Sequence, residues 1–295
     1  MKDKHHLDEE IWFSSIDEIE LSQYDKDAAF ARFKKRISAS HHVRSSSKKR
    51  WISCAVVVLM CVISYFSYKT GQSNLELRMA DIVMEAPNGS RSKMYLPDGT
   101  LVWLNAGSKI SYSQGFGVKT RLVRLVGEAY FEVSYNKDLP FIVMSNDATV
   151  RVLGTKFNFR DYPMDSETIV SLSEGLVVMH NKINPQKEFY IKPNQRALLD
   201  KQTGVVNVEN SEVLNAIQWI NGRLIFDGEL LNEIVKDLKR NYNVEIIVED
   251  RELLSLRFYG DFIRQEQSLG EVLSALAATG KLNYRQNERV VTLYK

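Results

Sequence analysis

The apolar positions of this chain change period along its length, and each change marks a different element. Residues 51–68, WISCAVVVLMCVISYFSY, form one continuous apolar run without a Lys, Arg, Asp, Glu or His. At about 1.5 Å of rise per residue, such a helix spans about 27 Å, the thickness of a bilayer core. The alternative is a buried core element, but core helices rarely run so long without a polar face, and strands rarely exceed about ten residues. Trp51 at one end and Tyr65 and Tyr68 at the other stand where interfacial aromatics belong. A cleaved signal peptide fits less well, because the charged region before the run is long and no small-x-small site follows it.

After a short tether over residues 69–80, the pattern becomes one of strands. From Ile82 to about Leu199 apolar residues alternate with polar ones, broken by turn residues. In YLPDGTLVWLNAGS, Pro97, Asp98 and Gly99 supply a turn and Val102 to Leu104 continue as strand. The clearest strand is RLVRLVGEAYFEV, with Val123, Leu125, Gly127, Ala129, Phe131 and Val133 on one face. Arg124, Glu128, Tyr130 and Glu132 point the other way, and Gly127 predicts a bulge or a close backbone approach. FIVM, TVRVLGTKFNF, TIVSLSEGLVVMH and RALLD continue the series, so an all-β sandwich, barrel or solenoid-like stack is expected.

Helical spacing returns after Val213. Leu230, Leu231, Ile234, Val235 and Leu238 make one stripe, with Asn241 read as its stop. Further on, Ser268 and Glu271 form a capping box, Leu269, Val272, Leu273 and Leu276 face inward, and Gly280 ends the helix. Both halves open with Phe-x-Gly, at Phe226 and Phe258, which predicts a small α/β domain of two related parts.

Ahead of the apolar run, Ala29, Phe30, Phe33 and Ile37 recur at helical spacing from Asp25, and Ile11, Trp12, Ile16 and Ile19 line a second short helix. Some fifty residues bury little core alone, so Trp12, Phe13, Phe30 and Phe33 call for a partner, or for a membrane surface on which the segment lies.

Charge orients the span. Arg32, Lys34, Lys35, Arg36, Arg44, Lys48, Lys49 and Arg50 precede it with no acidic residue among them, whereas only Lys69 and Arg78 are basic over a similar stretch beyond. Residues 1–50 are therefore expected on the cytoplasmic side and residues 70–295 outside. The same cations could form a nucleic-acid patch, but topology and anionic lipid already account for them, so no direct nucleic-acid partner is expected. The net charge of +2 arises from residues 1–50, with 11 basic against 9 acidic residues; the remainder holds 28 of each. Cys54 and Cys61 both lie inside the span, so the outer part folds without disulfides.

Chemistry is sparse. His5, His6, His41 and His42 precede the span, which leaves His180 as the one histidine outside, and no cysteine stands with it. A histidine-based triad or zinc site would have to be built on that single ring. No phosphate-cradling, dinucleotide or metalloprotease motif is present, and no metal or cofactor is called for. Asp98, Glu128, Glu132 and Glu174 lie at turns or on the polar faces of strands, where no catalytic reason is needed. Gly154-Thr155 is a separate case: a threonine hydroxyl can attack the preceding carbonyl when the backbone is strained, although Gly-Thr also occurs in ordinary turns.

In this order, after a single span, LPDGTLVWLNAGS, RLVGEAYFEV, PFIV and VRVLGTKFNF resemble the FecR family of membrane-bound anti-sigma regulators, over roughly Ile82 to Val178. The α/β tail resembles the secretin and TonB short N-terminal (STN) domain, with Trp219, Gly222 and Phe226 where such tails begin. The resemblance implies a multi-domain chain: a short cytoplasmic α-helical segment (1–50), one transmembrane helix (51–68), a periplasmic all-β FecR domain (80–200) and a C-terminal α/β STN-like domain of two βαβ-type halves (213–295). It implies an inner-membrane relay that uses no cofactor. The periplasmic signalling domain of a TonB-dependent outer-membrane transporter docks on the tail, at residues the sequence does not reveal, and an extracytoplasmic-function sigma factor is held inside. Membrane proteases release it. On this reading Trp12, Phe13, Phe30 and Phe33 contact the sigma factor, and Gly154 and Thr155 match a bond at which some members cut themselves. A competing class is a membrane-anchored module that binds or hydrolyses a glycan or peptide.

Overall fold

The computed structural model describes residues 25–40, 57–68 and 81–295. The chain divides into two compact units, 1–73 and 74–295. In the first, α1 (Lys26–Ser40) begins where Asp25 accepts hydrogen bonds from the backbone N–H groups of Asp27 and Ala28. A second helix, α2, covers residues 57–68, and its apolar side chains from Val57 to Tyr68 lie exposed. Among the described residues no helix is long and apolar enough to cross a membrane. Residues 51–56, the start of the span read from the sequence, lie outside the described residues, as do Trp12 and Phe13.

Among its described residues the second unit carries thirteen strands before its first helix: β1 (Asp81–Ala86), β2 (Ser92–Tyr95), β3 (Leu101–Leu104), β4 (Ser108–Ser113), β5 (Arg121–Glu132), β6 (Phe141–Met144), β7 (Ala148–Val152), β8 (Lys156–Asp161), β9 (Glu167–Glu174), β10 (Val177–Asn181), β11 (Phe189–Ile191), β12 (Gln195–Asp200) and β13 (Val206–Asn210). The long β5 belongs to two sheets. Its first half pairs with β4 and β6, its second with β3 and β8. The two runs are therefore β1-β4-β5-β6-β7-β10-β11 and β2-β3-β5-β8-β9-β12-β13. All pairings are antiparallel except β5 with β6.

Gly127 is the point where β5 passes from one sheet to the other. Its φ is 101°, and a Cβ there would lie 2.4 Å from Ser108 Oγ, so both the bend and the close approach require glycine. The odd positions of β5 fill the core as their alternation predicts, with Phe131 stacked on Phe157 at 5.0 Å between centroids. Arg121 is 2% exposed and ties the loops at one end together. It pairs with Asp98 at 3.0 Å and donates to the carbonyls of Ser134, Asn136, Leu139 and Leu153. Asp98 in turn holds Thr100, which closes the turn predicted at Pro97-Asp98-Gly99.

The tail begins with α3 (Val213–Ile217) and a 3-10 turn over Gln218–Asn221 that ends on left-handed Gly222. It continues through β14 (Arg223–Leu230), α4 (Leu231–Tyr242), β15 (Glu245–Val248), β16 (Arg257–Ile263), α5 (Leu269–Ala277), β17 (Asn283–Asn287) and β18 (Val290–Tyr294). The Phe-x-Gly segments lie on the antiparallel pair β14 and β16, and Phe226 and Phe258 are buried. β15 pairs parallel with β18, which pairs with β17. The capping box of Ser268 and Glu271 opens α5.

Asn241, read as the stop of its helix, is instead buried within α4; the left-handed stop is Asn243, at φ 52°.

Candidate functional site

The apolar cores of the β module and of the tail share no residue. The modules meet through a seam of polar and charged side chains. Four of these alternate around a closed ring: Arg160 and Asp165 from the β8 region, and Asp237 and Arg240 from α4. Arg160 lies 2.9 Å from Asp165 and 3.2 Å from Asp237, while Arg240 lies 2.9 Å from Asp165 and 2.6 Å from Asp237. The guanidinium of Arg240 also stacks on Tyr162, 3.9 Å from the ring centroid. Burial alone would raise the Asp237 carboxyl; Arg160 first and Arg240 second outweigh it and hold the group below its ordinary range.

Beside the ring lies Glu128, which corrects the alternation. It points away from the β-module core, as predicted, but it is 5% exposed. Tyr130 is buried on the same face. Asn105 and Asn158 each donate to a different Glu128 oxygen, both at 2.8 Å. Their own carbonyls are also engaged, Asn158 by Trp219 Nε1 at 3.1 Å and Asn105 by Arg91 Nε at 3.1 Å. Burial pushes the Glu128 carboxyl up, against the opposing pull of the Arg160 charge and the two amides.

Asn241 is the hub at the other end. Its carboxamide nitrogen donates to Asp237 O, its side-chain oxygen accepts from Arg91 Nη2 at 2.7 Å, and its backbone carbonyl accepts from Arg264 Nε at 2.7 Å. The β1–β2 turn caps the same helix end, with Gly89 N donating to Arg240 O.

The remaining candidates are not gathered into one site. Gly154 and Thr155 form the turn between β7 and β8. A Cβ on Gly154 would lie 2.7 Å from Tyr135 Cα, which gives this glycine a packing role of its own. Thr155 is buried, and its hydroxyl donates to Leu176 O at 3.2 Å. Glu174 pairs with Lys156, Glu132 stands across from Lys156 in register, and Asp98 is held by Arg121. His180 sits 3.7 Å from Glu188 and beside Pro185 O. Among the described residues no group of three or more His, Cys, Asp or Glu side chains could hold a metal. On α1, Phe30 is half-buried and Phe33 and Ile37 are exposed.

Sequence reasoning missed the seam. Its one local trace is Asn158, an amide set between two core phenylalanines of a strand, where asparagine is disfavoured.

A β module locked to a small α/β tail by an engaged polar seam is a two-module protein whose conspicuous buried charges hold structure together. The comparisons identify which kind. Residues 82–178 match the family described as FecR protein, and residues 223–293 match FecR, C-terminal. Two crystal structures, at 1.65 Å and 2.50 Å, of a candidate anti-sigma factor from Parabacteroides distasonis ATCC 8503 are 31% identical to this chain, each with a TM-score of 0.67. They cover 72% and 73% of this chain and 99% of their own. Comparison with the curated proteins returns no match. The chain belongs to the FecR family of anti-sigma factors.

Proposed function

We propose that this anti-sigma factor is a single-pass inner-membrane relay. Residues 1–50 bind an extracytoplasmic-function sigma factor in the cytoplasm, with Trp12, Phe13, Phe30 and Phe33 at the contact. Residues 51–68 cross the membrane, and the periplasmic unit receives the signalling domain of a TonB-dependent transporter on its STN-like tail. Family membership carries the anti-sigma reading. The membrane reading is supported by the basic flank before residue 51 and by the exposed apolar side chains over 57–68.

A single helix transmits a push poorly, so cutting is the simpler switch, and the tether over 69–80 is the segment offered to membrane proteases. Self-scission at Gly154-Thr155 is part of the same proposal. The Thr155 hydroxyl oxygen attacks the Gly154 carbonyl carbon, its proton passes to the departing Thr155 nitrogen as the C–N bond breaks, and water then hydrolyses the ester.

The test is retention of a sigma factor by residues 1–50 alone, with transcript profiling after the same segment is expressed. Capture of an extracytoplasmic-function sigma factor and a change in its regulon are expected. Failure of residues 1–50 to bind any such factor, or export of a reporter fused ahead of Trp51, overturns the reading and favours a membrane-anchored glycan or peptide module.

A further inference from the structure

Four of the seam's charges close on one another in the ring, but two arginines at its other end do not. Arg91 donates to Asn105 Oδ1 at 3.1 Å and to Asn241 Oδ1 at 2.7 Å. Arg264 donates to Asn241 O at 2.7 Å and to Gly89 O. All four acceptors are neutral, and among the described residues neither guanidinium forms an ion pair. Both are drawn to one residue, Asn241, so two like charges are held together.

Their mutual repulsion registers on Arg91. Burial first, and the Arg264 charge second, lower its pKa, and Glu128 opposes this from behind Asn105. The C-terminal end of α4 offsets part of the excess, since the carbonyls there carry about half a negative charge. With Glu128 held off behind Asn105, no carboxylate meets either guanidinium directly.

Both side chains are half-buried. In each, Nη1 makes no hydrogen bond among the described residues. Gly222 has no side chain to cover Arg91, and a Cβ there would still stand 3.7 Å from Arg91 Nη1 and 3.8 Å from Gln265 Cδ. Arg264 lines an open depression with Tyr242, Gln265, Gln267 and Ser268. Two acids share that rim. Glu271 is engaged by the Ser268 N–H and hydroxyl in the capping box, whereas Glu266 is exposed.

We infer that Arg91 and Arg264 form an oxyanion site at the module junction, which takes a carboxylate or phosphate group between their two unused Nη1 donors. A guanidinium nitrogen left over in this way still offers charge-assisted N–H donors to such a ligand. A ligand there would bridge Gly89 and Asn105 of the β module and Asn241 of the tail, and so tighten the seam. The site is independent of the relay proposed above.

The experiment is calorimetric titration of the full chain, in nanodiscs of neutral phosphatidylcholine, with inorganic phosphate and separately with acetate, against chloride at matched ionic strength. Saturable binding of either oxyanion, and not of chloride, is expected. Acetate binding as well as phosphate binding assigns a carboxylate ligand, and phosphate binding alone assigns a phosphoryl group. Arg264→Gln should weaken binding by about tenfold or more, the effect of losing a charge-assisted hydrogen bond. Glu266→Gln, which removes the exposed acid and leaves every bond of the seam in place, should tighten it. Equal binding by Arg264→Gln and the unaltered chain overturns the site, as does the absence of saturable binding in the Glu266→Gln chain.

Discussion

Replacing Asp237 with Ala tests whether the ring joins two otherwise separate cores. The substitution deletes the only α4 carboxylate facing Arg160 and Arg240, and leaves both arginines to share Asp165. The ring side chains are 3% to 22% exposed, so solvent screens the imbalance poorly. Removing one partner of a buried pair costs roughly 3–5 kcal/mol; with Asp237 at the more exposed end of that range, about 3 kcal/mol is expected. Because the β core and the tail core share no residue, the loss should fall on their docking. Urea unfolding of a chain beginning at Asp81, followed by tryptophan fluorescence, reads this directly. Trp219 sits in the seam, hydrogen-bonded to Asn158, while Trp103 stands on β3 against Tyr130. The altered chain should unfold in two steps, with the Trp219 signal lost first and the β module retaining its midpoint. In a double-mutant cycle with Arg160→Ala, the coupling should reach about 1–3 kcal/mol. One cooperative transition shifted by less than about 1 kcal/mol, with coupling near zero, would refute the argument.

Burial first, and the Asp237 charge second, raise the Glu229 carboxyl above its ordinary 4.5, and burial raises Glu128 too. Such groups destabilise the fold when ionised, so thermal stability should rise as pH falls from 7 through their folded pKa values toward 4.5. Asp237 and Asp161 are held below 3.8 and give the opposite slope beneath that value, so stability should fall again there; Glu229→Gln should flatten the upper arm only. Gly127→Ala puts a Cβ 2.8 Å from the Ser108 backbone at φ 101°, and should cost about 2–4 kcal/mol, read as a lowered melting temperature. Thr155→Ala should abolish any self-cut fragment on a blot; persistence of the fragment would remove Thr155 as the nucleophile.

The strands were legible because each carries its own signal. Alternation named the buried face of β5, Gly127 marked its bend, and Pro97-Asp98-Gly99 marked the turn before β3. The capping box of α5 was readable because both partners lie within four residues. Glu128 was placed on the correct face of β5, yet its environment was misread, since the amides that hold it there come from Asn105 and Asn158, and Asn158 is engaged in turn by Trp219, far along the chain. Asn241 was misread for a similar reason. Asparagine often stops a helix, and only the distant Arg91 and Arg264 show why this one is held inside. The sequence pattern reports which way a side chain points, whereas contacts between modules depend on how two finished folds dock.

That distinction explains why the seam is polar. A module that must dock after its own core has formed cannot leave a large apolar face in water without inviting other partners. Charged side chains remain soluble before docking, and the ring makes docking selective, because a slipped register would set Arg160 against Arg240, or Asp165 against Asp237, in a buried setting. The same property limits how tightly the modules hold, since the gain from pairing is largely offset by desolvation of the charges. Trp219 is buried at the join, and its indole N–H is directed onto the amide that fixes Glu128. Opening the seam would therefore expose a tryptophan and free a buried carboxylate in one step, while each core stays folded.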